Sequence, residues 1–507
     1  MQSSYESDKK LTPIQEFYDG QNIFITGGTG FMGKLLIEKL LRSCPGIKCI
    51  YILIRPRKGK DVIQRTNELF EDLVFSKLRT EQPKFQDKIV CISGDCSLPN
   101  LGITTLDRTT LIKEISIVFH SAATTRFNEN IKLATATNVR GVKYMISLSK
   151  EMQKLKCFVY VSSTYSQCIH NPIEEKFYDP PMDDDKLINL VDSMNEKLLD
   201  DITPKLLESW PNTYIYTKSV AENVIKKQAG LLPIGMFRPG IVISTYQEPI
   251  RAWTDNYNGP VGFVVSAGKG LIRSHHCDGS VKVCLVPGDL TNNALIVSAW
   301  DIANNRRSKD DIPIYNYVSK DNPITYDELK EMIFKYGLLT PIKDATWYYS
   351  FKFIKYRSLH LFYVYFLHLL PAFLLDTMLF CVAKKPRFLK LYDRIHKMLD
   401  FLTDFCLNEL KYTNDRWIEV TRKLSTEDRE LFFCDMKDFV WDNYFKTYFL
   451  GIRLYVLKDP IDTIPQARKN WRRLYWIHQT FKLVMVGIFL TITWIMISKL
   501  FTLFESA

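Results

Sequence analysis

Tyr214 and Lys218 stand four residues apart in Tyr-Ile-Tyr-Thr-Lys, so on a helix their side chains share one face. Upstream, at the end of a strand-like run, lies Ser162-Ser163-Thr164-Tyr165, and downstream lies Phe237-Arg238-Pro239-Gly240-Ile241. A hydroxyl, a phenol and an ammonium gathered at one place have a defined chemistry. The lysine charge lowers the phenol's pKa. The phenol then gives its proton to a carbonyl oxygen that turns negative as hydride arrives, and a serine hydroxyl holds the same oxygen. Tyr216 is two residues from Lys218 and faces elsewhere. Tyr and Lys also fall four apart by chance, and it is the flanking runs that give this pair its meaning.

Hydride needs a carrier, and the N-terminal part of the chain offers a place for one. Thr26-Gly-Gly-Thr-Gly-Phe-Met-Gly33 follows the β-rich run Asn22–Thr26 and opens an apolar-periodic helix from Phe31 to Leu41. Gly27 permits the tight turn, Gly30 lets backbone approach a pyrophosphate, and Gly33 lets the helix pack close to the sheet. The helix start adds N–H groups and a positive dipole for the phosphates. The next strand, Cys49–Ile54, ends in Arg55-Pro56-Arg57-Lys58. An acidic residue there would hold a ribose 2′-OH; Arg55 and Lys58 suit a 2′-phosphate. This predicts NADPH over NADH, with Lys218 on the nicotinamide ribose. Asp95 ends the third strand, where it serves either the adenine or its own turn.

These residues require strands that present them at one edge. Asn22–Thr26, Cys49–Ile54, 89–95, 116–123 and 157–163 alternate with helical stretches, including one over about 131–155. That order predicts a Rossmann-type, doubly wound parallel α/β sheet. The chain has 507 residues, 46% hydrophobic and 24% charged, a globular composition spread over more than one domain. The expected layout is a flexible leader at 1–18, a nucleotide-binding domain at 19–245 and a substrate-binding subdomain at 246–345. An apolar membrane-interface segment at 346–384 and a smaller helical domain at 385–480 follow. The net charge is +11, and residues from 351 onward carry 24 basic against 16 acidic side chains. That bias suits a membrane surface or an anionic ligand and does not call for nucleic acid. Eleven cysteines without a C-x-x-C pair argue against a disulfide framework and a structural zinc site. No His spacing predicts a metal site, and the adjacent pair His275-His276 reads as a loop feature. The first residues lack the apolar core of a secretory signal.

Two apolar segments stand apart. The residues 483–504, preceded by Trp471, Arg472, Arg473 and Trp476, have about the length of a transmembrane helix. The basic residues before them place 1–480 in the cytosol, as in a tail-anchored protein. Ser358–Ala383 contains two His, a Pro and an Asp and is flanked by basic residues on both sides. It is expected to lie in the interface or to dip in and return.

The runs TGGTGFMG, VFHSAATTRFNE, NVRG, YVSSTYS, NTYIYTKSVAE and FRPGIV resemble the extended short-chain dehydrogenase/reductases. With NGPVGFVVSAGKGLIR, YNYVSKDNPITYDEL, HLLPAFLLD and DFCLNELKYTND, the chain is more closely similar to the alcohol-forming fatty acyl-CoA reductases of insect type, over roughly residues 18–480. The resemblance implies Tyr214 as acid, Lys218 as its partner and Ser163 as the hydroxyl, with Ser162 and Thr164 as competitors. It implies a cofactor site of Thr26, Gly27, Gly30, Phe31, Gly33, Arg55, Lys58, Asp95, Ala122, Lys218 and Pro239. It implies a long-chain acyl-CoA substrate, membrane lipid as a partner, no metal, and an endoplasmic-reticulum or peroxisomal membrane. The chain departs from the pattern at PGDLTNN (287–293), usually more apolar, and at Gly240, where a Ser is common. Other readings are an aldehyde-releasing reductase, a membrane-bound hydroxysteroid-type dehydrogenase or a lapsed cofactor-binding scaffold. Oligomeric state is not legible in the sequence.

Overall fold

The computed structural model describes residues 10–56, 59–257, 259–305 and 311–505, with side chains described through 498. Lys58, expected at the cofactor, lies outside the described residues. The chain forms two compact units, each assembled from separate stretches. The first takes residues through Thr254, then Ser280–Tyr326 and Asp404–Tyr444; the second takes Asp255–Gly279, Asp327–Thr403 and the chain from Phe445.

The first unit is built on a seven-stranded sheet. Its strands are β1 (Asn22–Thr26), β2 (Cys49–Ile54), β3 (Ile89–Ser93), β4 (Ile117–His120), β5 (Cys157–Val161), β6 (Ile234–Pro239) and β7 (Ile314–Tyr317). They lie in the order β3-β2-β1-β4-β5-β6-β7, every pair parallel. β1, β4, β5 and β6 are buried along their whole length, as helices on both faces require. Helices Phe31–Ser43 and Gly288–Asn304 pack together, the latter also against β5 and β6. Helices Gly141–Glu151 and Thr213–Gln228 pack together elsewhere in the unit. Strand order reverses between β1 and β4, and the crevice at such a switch point is where doubly wound sheets bind ligands.

Four expectations about layout need correction. The presumed flexible leader contains a helix, Pro13–Tyr18, opened by a reciprocal capping box between Thr12 and Gln15. Ile14 and Tyr18 are fully buried, and the Tyr18 hydroxyl donates to the Ile296 carbonyl at 2.9 Å. The sheet does not end near residue 245 either. β7 pairs with β6 through Ile314↔Met236 and Tyr315↔Phe237, after an excursion long enough to hide the pairing from a local reading. Residues 404–444, expected in a separate helical domain, belong to the first unit: Trp417 meets Phe237, Tyr315 and Tyr317 edge-on at 6.5, 6.5 and 5.4 Å. His275-His276 is also no loop; Ser274–His276 is a short strand of the second unit paired with Lys352–Ile354.

The two departures from the family pattern have structural reasons. Asp289 accepts backbone N–H bonds from Tyr246, Gln247 and Glu248 at 2.8, 2.7 and 3.0 Å. Asn293 donates to the Phe433 carbonyl at 2.8 Å. The polar residues of 287–293 therefore organise neighbouring backbone. At Gly240 a Cβ would lie 2.5 Å from the Cys284 sulfur and 2.9 Å from its carbonyl oxygen. Gly240→Ser is thus expected to lower stability by about 1–3 kcal/mol through overpacking, read as a fall in thermal midpoint. Gly240→Ser/Cys284→Ala should recover only the part due to the sulfur.

Candidate active site

The turn after β1 is held against the turn after β4. The Thr26 hydroxyl accepts the Ala122 N–H at 3.2 Å and lies 2.7 Å from His120 Nδ1. Gly27 has φ +78°, and a Cβ on it would meet the Ala122 nitrogen at 2.8 Å. A Cβ at Gly33 would sit 2.2 Å from the Gly27 carbonyl oxygen, and one at Gly28 would sit 2.6 Å from Ile52. Gly28 is thus constrained as Gly27 and Gly33 are, whereas a Cβ at Gly30 would meet only the Gly27 carbonyl oxygen, at 3.3 Å. Gly30 is the N-cap of helix Phe31–Ser43 and supplies no side-chain cap, so the first-turn N–H groups are left for an external acceptor. The Phe31 ring stacks on Trp253 at 5.4 Å.

Arg55 is half exposed, its Nε 3.8 Å from Asp95. Asp95 also accepts the Ser97 N–H and hydroxyl at 2.9 and 2.8 Å, so it serves its own turn as well as facing Arg55. Arg65, from the following helix, donates to the Arg55 carbonyl and to the Thr29 hydroxyl. It joins the β2 end to the glycine loop, and nothing in its local spacing marks it.

Tyr214 and Lys218 fall in the first turns of helix Thr213–Gln228, whose N-cap Asn212 accepts the Ile215 N–H. Lys218 is buried and donates to the Val161 carbonyl at 2.7 Å, with its ammonium 4.7 Å from the centre of the Tyr160 ring. Burial pulls its pKa down to about 7, against the opposing charge of Glu222. The Tyr214 phenol is pushed up to about 12 by burial, and a hydrogen bond with Ser163 opposes the rise. The expectation that Lys218 lowers the Tyr214 pKa is therefore not met. The ammonium is directed to the β5 end and the Tyr160 ring, and Tyr214 stays a protonated donor.

Among the three candidate hydroxyls the geometry discriminates. Ser162 donates to Glu222 at 2.6 Å, and Thr164 donates to the Pro239 carbonyl at 3.3 Å. Ser163 meets Tyr214. His120, at the end of β4, is fully buried, stacks on Tyr160 at 5.9 Å and is pulled down to about 3 by burial and by Lys218.

Beneath these groups lies a network that the motif reading missed. Glu222 follows Lys218 by one helical turn and forms a buried ion pair with Arg238 of β6 at 2.6 Å. Its carboxylate also accepts from Ser166 and Gln167 at 2.8 and 2.7 Å, and Arg238 donates to the carbonyls of Glu174 and Lys176, each at 3.0 Å. The signal was present: Tyr214, Lys218 and Glu222 repeat every four residues. Arg238→Met should cost about 3–5 kcal/mol by leaving Glu222 buried and uncompensated. The Glu222→Met/Arg238→Met double variant should lose less, both read as thermal midpoints.

Among the described residues, the acidic group that could gather around a metal is Asp183–Asp185. Asp183 caps the following helix, and Asp184 pairs with Lys143 and Lys227 at 2.6 and 3.2 Å.

Known proteins place this arrangement. Residues 25–295 match the NAD-binding domain, and residues 367–459 the Sterile domain, of the male sterility proteins. The chain is 42% identical over 473 residues to fatty acyl-CoA reductase wat of Drosophila melanogaster, covering 93% of this chain and 91% of the relative. It is 35% identical over 480 residues to human fatty acyl-CoA reductase 1, covering 94% and 92%. The terminal R domain of the myxalamid biosynthetic pathway shares the fold at a TM-score of 0.57 and 19% identity, covering 86% and 91%. The reductase domain of a Mycobacterium tuberculosis nonribosomal peptide synthetase does so at 0.56 and 17%, covering 87% and 93%. With a glycine cradle at the switch point, a half-buried Tyr214 one helical turn from a buried Lys218 and beside a serine, and relatives of this likeness over nearly its whole length, the chain belongs to the fatty acyl-CoA reductase family.

Proposed function

We propose that this chain reduces long-chain fatty acyl-CoA to the primary alcohol and free CoA with NADPH, through an aldehyde. The observation that carries the reading is the hydrogen bond between Tyr214 and Ser163, with Lys218 one helical turn further on, in the unit whose glycine turn leaves no room for a Cβ at Gly27 or Gly33. The cofactor fits that cradle. Gly27, Gly30 and Gly33 admit a pyrophosphate at the helix start, Thr26 and Ala122 fix the loop, and Phe31 offers its backbone N–H. Arg55, facing Asp95 across the β2–β3 ends, takes the 2′-phosphate, and Lys218 the nicotinamide ribose, with Pro239 alongside. When bound, NADPH supplies hydride.

Tyr214 keeps its proton at neutral pH, because burial holds the phenol up, and gives it to the thioester oxygen as negative charge gathers there. Ser163 donates to the same oxygen. As the C–S bond breaks, the hydroxyl of the addition product returns its proton to Tyr214, the departing thiolate takes a proton from solvent to become free CoA thiol, and an aldehyde remains for reduction with a second NADPH. Tyr214 and Ser163 face the same charge development in the second reduction. Lys218, drawn down to about 7 in the free protein, would hold the nicotinamide ribose, whose hydroxyl oxygens would favour its charged form. We further assign the terminal helix as a single membrane anchor of an intracellular membrane, endoplasmic-reticulum or peroxisomal, with residues 1–480 cytosolic.

Incubation with palmitoyl-CoA and NADPH should yield thiol-titratable CoA and hexadecanol by gas chromatography. Tyr214→Phe should slow both by roughly 10²–10⁴ while NADPH still binds. Tyr216→Phe removes a buried hydroxyl without a hydrogen-bond partner among the described residues and should leave turnover nearly intact. Equal loss in the two variants would reassign the acid.

Arg55→Glu should weaken NADPH at least tenfold while leaving NADH nearly unchanged, since charge-assisted phosphate bonds are each worth about 1.5–3 kcal/mol. Equal use of NADH and NADPH by the unaltered protein would remove the 2′-phosphate assignment.

A further inference from the structure

The second unit carries two helical runs long and apolar enough to cross a membrane, Arg357–Cys381 and Ile461–Ser498. They differ in how they meet the protein. The apolar window of the terminal helix is 0% buried, as lipid on all sides demands. In the first run, Val364, His368, Ala372 and Asp376 are buried, a stripe of every fourth residue along one side. Two of the four are polar, and both are engaged. His368 accepts the Arg273 N–H at Nε2, at 2.9 Å, and its Nδ1 lies 3.0 Å from His396 Nε2. Asp376 accepts the N–H groups of Arg387, Phe388 and Leu389 at 2.7, 2.9 and 2.9 Å, so it caps the helix that begins at Phe388. The contacts 376–388 and 368–396 run in opposite order, and the second helix therefore folds back along the first. It turns Tyr392, Ile395 and Leu399 inward and leaves Lys390, Asp393, Arg394, Lys397 and Asp400 exposed.

A straight crossing by the first helix would draw those five charges into hydrocarbon with it, at about 2.5–3.5 kcal/mol for each one near the bilayer centre. The outward face of the first helix is nevertheless built for lipid. Phe362, Phe366, Phe373 and Phe380, spaced by four and seven, are 56, 51, 56 and 74% exposed. The turn that closes the hairpin exposes Lys384, Lys385 and Arg387. The hairpin is also tied to the foot of the terminal helix: the Arg273 guanidinium lies 4.9 Å from the Trp347 ring centre, and Trp347 Nε1 donates to His478 at 3.0 Å. His478 stands five residues before the apolar run that opens at Leu483.

We infer that the hairpin Arg357–Thr403 is a second membrane contact lying in the plane of the bilayer. Its phenylalanine face enters the acyl boundary, and Lys384, Lys385 and Arg387 rest on anionic headgroups. The surface needs only the terminal anchor from the proposed function, not the reductase chemistry. The test uses the full chain with Cys381→Ser, reconstituted in mixed phosphatidylcholine–phosphatidylserine vesicles with the nucleotide-binding unit outside. A fluorophore is placed at Phe362→Cys, Phe373→Cys or Lys385→Cys. Nitroxide lipids should quench positions 362 and 373 at one shallow depth, while iodide in the outer buffer quenches position 385. Replacing Lys384, Lys385 and Arg387 by Glu should cut the lipid quenching severalfold. A depth that passes through the bilayer centre between 362 and 373, with 385 shielded from outside iodide, would establish a span. An absence of lipid quenching at both positions would mean that protein, such as a second copy, covers this face. Quenching unchanged by the three Glu substitutions would overturn the headgroup contact.

Discussion

A single carboxylate holds the end of β5, β6 and helix Thr213–Gln228 in register. Glu222 lies 2% exposed and takes hydrogen bonds from Ser162 after β5, from Ser166 and Gln167 in the next turn, and from Arg238 in β6. A buried charge is tolerated only when paired and hydrogen-bonded, so each partner must stay in place. Helix Thr213–Gln228, which carries Tyr214 and Lys218, is thereby fixed to the strand end that carries Ser163. Lys218, one turn earlier, reaches the Val161 carbonyl from the same helix. The positions of Ser163, Tyr214 and Lys218 thus follow from one buried ion pair.

Much of this was legible in the residues. β1 and β2 begin and end where their apolar runs do, and the glycine turn sits between strand and helix as spacing required. The Tyr–Lys pair lies on one helical face beside a serine. What stayed hidden shares a physical trait: it depends on partners far apart in the chain. β7 is four residues long, and its pairing with β6 spans most of a hundred residues. Trp417 covers aromatic side chains of β6 and β7 from further away still. Arg65 reaches the glycine loop across 36 residues. Local periodicity reports which face of an element is apolar, not what will cover it.

The electrostatics were the least legible part. Four-residue spacing suggested that lysine would act on tyrosine. Burial acts more strongly on both groups, in opposite senses: it favours the neutral phenol and the neutral amine. Desolvation depends on everything packed around a site, and no short motif encodes it. The two apolar runs have similar mean hydropathy, and the two His, the Pro and the Asp of Ser358–Ala383 already set it apart in the sequence. The burial of His368 and Asp376, with Val364 and Ala372, shows that this helix leans on protein where the terminal one does not.

The interleaving of the two units bears on how the chain is made. The polypeptide passes between them five times, and the last stretch of the first unit ends at Tyr444. A ribosome that has released residues 1–326 has delivered all seven strands but not Trp417, which covers aromatic side chains of β6 and β7, nor Asp428, which receives the Ile14 N–H. During the synthesis of the next hundred residues the outer part of the sheet is a partly covered surface, while the phenylalanine-rich helix is already out. Completion of the nucleotide-binding unit is therefore a late event in biogenesis, and shortening the chain from its C-terminal side past Tyr444 removes part of that unit.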